Sequence, residues 1–135
     1  RSSDLTNQMS GVPVIRPQFV SYIDESAAIN ERAKAYLDIN CAHCHNPKGP
    51  AKSSGLFLDY RYYGTTAYGM MKSPVAAGRG SGGLLYDIVA GKPNESILHY
   101  RMNSHDPGVM MPELGRTVIH QEGVALIREW IKSIH

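Results

Sequence analysis

The sequence predicts an all-α fold of three or more helices, on three observations. An early stretch carries mostly apolar residues at helical spacing and runs straight into two cysteines and a histidine. The C-terminal stretch carries a cleaner apolar stripe of the same period. Between them the chain is broken by proline and glycine into short pieces, with one further helical pattern among them. At 135 residues the chain has the size of one domain with an arm. The expected division is residues 1–25 as an irregular N-terminal arm or linker and residues 26–135 as the folded domain.

The arm contains Gly11-Val12-Pro13-Val14-Ile15-Arg16-Pro17, which cannot be regular helix. Phe19, Val20, Tyr22 and Ile23 are its residues suited to packing on the domain. The first helix starts with Asp24 or Ser26 as N-cap and presents Ala28, Ile29, Arg32, Ala33, Tyr36, Leu37 and Asn40 on one face. Asn46-Pro47-Lys48-Gly49-Pro50 ends it. From there to Lys92 periodicity is weak, with Gly78, Gly80, Gly82 and Gly83 marking a mobile or ligand-hugging loop and Leu84 to Ala90 a short helix or irregular segment. A second helix runs from about Asn94, as N-cap, to Met102. A loop from Asn103 to Gly115 follows. The last helix spans about Gln121 to Ile134, with Val124, Ile127, Ile131 and Ile134 as its stripe, widened by Leu126 and Trp130.

Composition narrows the function classes. Apolar residues make up 42% of the chain, but no apolar run reaches the length of a membrane span. The segment Arg1 to Ser10 lacks the apolar core of a signal peptide, as expected of a mature form or of a piece of something longer. The formal net charge is +2 with no block of like charge, which gives no footprint for nucleic acid or an anionic membrane.

The two cysteines form Cys41-Ala42-His43-Cys44-His45, the attachment signal for c-type haem. Two thiols must add to two vinyl groups on one porphyrin edge. One helical turn sets both sulfurs on the same side, and the next residue projects an imidazole at the iron. A thioredoxin-like pair would follow a strand rather than a helix. A zinc site would need more donors than five consecutive residues can arrange around one ion. With His45 on one face of the iron, the other face calls for a thioether or an imidazole. Met111, stiffened by Pro112, is the leading candidate among the six methionines; Met110 and His105, in the same loop, are its rivals. Met102 reads as core, and Met9, Met70 and Met71 are poorly framed.

The frame resembles a class I cytochrome c, in particular the mono-haem modules near the C-terminal end of larger bacterial periplasmic or secreted proteins. The residues that carry the likeness are Arg32 to Leu37 before Cys41, Ser54-Gly55-Leu56-Phe57-Leu58-Asp59 after it, Gly91-Lys92-Pro93-Asn94-Glu95-Ser96, Met111-Pro112-Glu113-Leu114-Gly115, and Glu122 to Ile131. The resemblance covers about residues 26 to 134 and implies the cytochrome c fold, with its helices wrapped around one covalent haem. It implies that first and last helices cross closely. The family often has a glycine and an aromatic where this chain has Ala33 and Leu37, so the crossing is expected to be slightly wider, with Trp130 supplying the aromatic. It further implies a backbone carbonyl that accepts from the ring N–H of His45, for which Pro50 is the candidate. Arg101 is a candidate for a haem propionate, and Leu56, Phe57 and Leu98 are candidate haem walls. His99, His120 and His135 are expected to be exposed bystanders.

The function so implied is electron transfer, not catalysis, between redox partner proteins or with a fused oxidoreductase domain. A filled His/Met iron leaves no site for substrate. The alternatives are a peroxidase-like haem enzyme and a gas-binding sensor, both of which keep the sixth position open or labile. Attachment of haem to thiols implies the bacterial periplasm or the cell surface.

Overall fold

In a computed structural model, residues 20–112 and 119–135 are described. Most of the predicted arm, including Phe19, and the Glu113-Leu114-Gly115 part of the loop lie outside the described residues. The described residues form three α-helices, α1 (Ile29–Asn40), α2 (Ile97–Met102) and α3 (Gln121–Ser133), joined by short 3-10 turns. Among the described residues there is no strand, only isolated bridges between Met70 and Ile88 and between Tyr86 and Ser96. The all-α expectation therefore holds. No helix of the described residues is long and apolar enough to cross a membrane.

α1 begins later than the sequence predicts. Asp24 and Ser26 do not cap it; the N–H and hydroxyl of Ser26 both donate to Asp24 Oδ1, at 3.0 and 2.6 Å, and close a turn of their own. Side chains of this kind offer the backbone a local alternative to helix. The helix starts after Ala28 with no side-chain cap. Ahead of it, Tyr22 packs edge-on against Tyr36, with ring centroids 5.2 Å apart, and its carbonyl accepts from Arg32 Nε. Ile23 stays exposed.

α1 and α3 form the most extensive helix pair. α1 buries Ala33, Ala35, Tyr36 and Leu37, and α3 buries Gly123, Val124, Leu126, Ile127, Trp130 and Ile131. The Trp130 indole N–H donates to Asn30 Oδ1 at 3.0 Å, so the largest buried side chain also satisfies its polar atom. Close approach comes from α3 rather than from the Ala33 position of α1. A Cβ on Gly123 would run into the Tyr36 hydroxyl, which itself bonds His120 Nδ1 at 2.9 Å. His120 stands at the N-cap of α3 and stacks on Tyr36.

α2 is shorter than predicted. Asn94 lies inside a 3-10 turn, Pro93–Glu95, and accepts from Arg128 of α3 rather than capping a helix. The N-cap is Ser96, fully buried, whose hydroxyl accepts from the Val89 N–H and donates to the Lys92 carbonyl. Those bonds fold residues 84–90 back as an irregular segment, not a helix.

Candidate functional site

The cysteine motif is wound onto the end of α1 as one extra turn. The N–H groups of Cys41 and Ala42 return to the Leu37 carbonyl, and those of Cys44 and His45 return to the Cys41 carbonyl, at 3.1 and 2.9 Å. Residues three and four apart in such a turn share a side. Cys41, Cys44 and His45 accordingly all line one cavity of about 520 Å³, within the range of ligand and cofactor sites, roughly 300–1,000 Å³. The two cysteines are not joined to each other by a disulfide. Burial, helped by the neighbouring Cys44, pushes the Cys41 thiol up to about 12, which keeps it protonated at neutral pH.

His45 is held from two sides. Its Nδ1 lies 3.2 Å from the Leu56 carbonyl. A carbonyl only accepts, so Nδ1 carries the hydrogen and Nε2 keeps the lone pair. The Ser54 hydroxyl lies 3.4 Å from the same Nδ1 while donating to the Ala51 carbonyl. The Leu58 N–H closes the frame on the His45 carbonyl at 2.9 Å. Burial lowers the pKa of this imidazole, the Leu56 bond opposes that, and Arg101 and His43 lower it further. The ring is thus set to be neutral at neutral pH, the form that ligates metals.

Two expectations need correction here. The carbonyl facing His45 is that of Leu56, not of Pro50. After the motif the chain doubles back over Cys44: the Ala51 N–H donates to the Cys44 carbonyl, and a Cβ on Gly49 would collide with that same carbonyl. This tight return leaves Pro50 exposed at the cavity edge, and the acceptor arrives only with Leu56. Phe57, in turn, does not line the cavity. Leu56 and Leu58 line the cavity, and Phe57 between them packs on Tyr62 with ring centroids 5.3 Å apart. Successive N–H groups go to opposite sides, that of Phe57 to Ala67 and that of Leu58 to His45. An extended segment turns alternate side chains to opposite faces.

Leu98 and Arg101 reach the cavity from α2, together with Ile97 and Met102. Met111 lines it from the loop after α2. The loop is fixed to α2 at both ends of one residue: the Met111 N–H donates to the Arg101 carbonyl at 3.0 Å, and Arg101 Nε donates to the Val109 carbonyl at 2.8 Å. Met110 and His105 do not line the cavity, and His105 is exposed. Met102 does line it but is also a buried member of the hydrophobic cluster.

Sequence reasoning missed Asp87, a buried carboxylate on the cavity wall, 3.5 Å from Lys72 Nζ. Burial raises its pKa, and Lys72 and then Arg101 pull it back. The signal was present: Asp87 interrupts the run Leu84-Leu85-Tyr86-Asp87-Ile88-Val89. His99, expected to be exposed, is buried, because α2 is covered over more than one side, with Ile97, Leu98 and His99 buried in succession. Among the described residues, no group of three or more His, Cys, Asp or Glu is set to hold a metal ion. Comparison with family models, with curated proteins and with solved structures finds no match to this chain.

Proposed function

We propose that this chain is an electron-transfer domain of the c-type cytochrome kind, holding one haem covalently through Cys41 and Cys44 with His45 and Met111 as axial ligands. The observation that carries the reading is the shared cavity. Two thiols, a neutral imidazole with its Nδ1 hydrogen already committed, and a thioether on a tethered loop all line one largely apolar space of about 520 Å³. That donor set fits a haem better than it fits a bare ion, since the ring's apolar faces need the walls that Leu56, Leu58 and Leu98 provide. When bound, the haem supplies an iron that changes oxidation state by one electron.

The chain's own residues do the rest. Cys41 and Cys44 tie the group to the end of α1. The Leu56 carbonyl orients His45 and raises the basicity of its free nitrogen. Met111 presents a soft sulfur, which favours the ferrous state and raises the potential. If His45 and Met111 both hold the iron, no ligand position would be left for a substrate, which favours a carrier over an enzyme or a sensor. Arg101 lines the cavity and brings positive charge to it, suited to acidic groups on the cofactor. Redox proteins, or an oxidoreductase domain in the same chain, are the partners this reading calls for, in a bacterial periplasm or at the cell surface.

The test is intact mass with haem staining of a denaturing gel, on protein made alongside a haem-attachment system. One haem per chain is expected to survive denaturation. A mass equal to the bare polypeptide overturns the reading. Cys41→Ala and Cys44→Ala each remove one thioether link, and the pair together abolishes covalent staining.

A further inference from the structure

We propose that Arg79 and Asp106 form an external brace that positions Met111, and that the glycine-rich segment Gly78–Ser81 exists to deliver one half of it. The inference rests on the reading of Met111 as an iron ligand. The contact is bidentate: Arg79 Nη1 donates to Asp106 Oδ2 at 2.5 Å and Nη2 donates to Oδ1 at 3.0 Å, across 27 residues of sequence. A planar fork on a carboxylate fixes orientation as well as distance.

Asp106 is the organising residue of the Met111 loop. Its side chain also accepts from the Gly108 N–H at 2.9 Å, and its carbonyl accepts from the N–H groups of both Val109 and Met110 at 2.8 Å. Its own N–H is held by the Ser104 hydroxyl. Val109 is then tied to Arg101, and Arg101 to Met111. A continuous chain of contacts thus leads from Arg79 to the thioether residue.

The glycines make the delivery possible. A Cβ on Gly108 would collide with the Arg79 guanidinium, and a Cβ on Gly80 would press to 2.9 Å on that of Arg101. Gly80 lies against the Arg101 guanidinium and Gly82 against the Tyr100 ring, so this part of the glycine run, marked by the sequence as mobile or ligand-hugging, is seated on α2, from where Arg79 reaches Asp106. It grips α2 and the ligand loop. An exposed ion pair adds little to global stability, so the effect belongs to the loop alone.

The experiment uses the haem-loaded protein and three readouts: amide exchange at residues 109–111, the weak red-edge band of a methionine-ligated ferric haem, and the rate of carbon monoxide binding to the ferrous form. Arg79→Ala and Asp106→Ala should each speed exchange at 109–111 and carbon monoxide binding by about two- to five-fold, the population change expected when a weak exposed pair is lost. The band should weaken, and exchange within α3 should not move. Arg79→Lys, which keeps the charge but loses the fork, should fall between. Lys132→Ala, which removes an exposed pair on α3, should change none of the three. Unchanged exchange in the Arg79 and Asp106 variants overturns the brace. Faster exchange with an unchanged band and carbon monoxide rate overturns its role in positioning Met111. A parent without the band defeats the Met111 reading, and the positioning role with it, whatever the exchange data say of the pair.

Discussion

The two halves of the molecule are closed in different ways. At the crossing of α1 and α3, Ala33, Leu37, Ile127, Trp130 and Ile131 are each 1% exposed or less, and side chain meets side chain. In the cavity half, regular structure comes mostly in turns of three or four residues, and apolar walls face a space of about 520 Å³. Cys41, Cys44, His45, Leu56 and Met111 are only half-buried there. The difference teaches where stability comes from. The crossing supplies its own, by packing. The cavity half is linked to whatever fills it, since a group that binds only the folded state stabilises that state by mass action.

The largest way to break this comparison is at Met111. Met111→Ala is expected to abolish the red-edge band, lower the potential and admit carbon monoxide, while leaving the melting of α1 and α3 nearly intact. Met110→Ala should keep the band, since Met110 does not line the cavity. Met102→Ala should also keep it but lose about 2–5 kcal/mol of stability as a buried truncation. Loss of the band in Met102→Ala alone, without loss in Met111→Ala, reassigns the ligand to α2. A parent that already binds carbon monoxide and turns over peroxide replaces the carrier with the enzyme.

Which parts were legible follows the same divide. The face of α3 could be read because helical period and burial coincide along it, and that of α1 in part, since Ala33, Tyr36 and Leu37 are buried as expected but so is Ala35, off the predicted face, while Ala28 is exposed. The motif at residues 41–45 stands out in the sequence because the covalent chemistry proposed for it requires that spacing, and the structure brings Cys41, Cys44 and His45 to one cavity. The acceptor for His45 could not, since every residue has a carbonyl and only the path of the return from Pro50 to Leu56 selects one. Phe57 was misread because its neighbours Leu56 and Leu58 are equally apolar, and composition says nothing of which way an extended residue turns. Residue type points to Asn94 as the cap, while the buried Ser96 holds that place through bonds to Val89 and Lys92. Local rules failed where contacts outside the helices, 4 to 11 residues apart, decided the backbone.

The crossing itself is probed by Trp130→Ala. Truncating a tryptophan that is 1% exposed and bonded to Asn30 is expected to cost about 3–5 kcal/mol. Haem attachment and the red-edge band should persist at temperatures below the lowered melting point. A variant that melts like the parent would show that the crossing is not the stabilising half. A variant that folds but loses the band would show that the two halves are not separable.

The smallest expected effect lies at His99, on α2, which packs against both α3 and the Gly78–Ser81 segment. Burial lowers the pKa of His99 below its ordinary 6.5, and the positive charge of Arg128 lowers it further. A histidine so shifted takes its proton first in the unfolded chain. Stability therefore falls as pH drops through 6.5 toward the folded value and is recovered above 6.5. His45 carries a shift of the same sign, so the measurement is a difference: the slope of melting temperature against pH, parent minus His99→Gln. That difference should be positive below 6.5 and vanish above it, and the melting-temperature change it accumulates should stay smaller than the shift caused by Trp130→Ala. Arg128→Ala should reduce the parent's slope without abolishing it, because burial, the larger cause, remains. Parallel slopes in parent and His99→Gln would mean that His99 meets water freely in the folded protein, and that α2 is less firmly seated on α3 than its buried face implies.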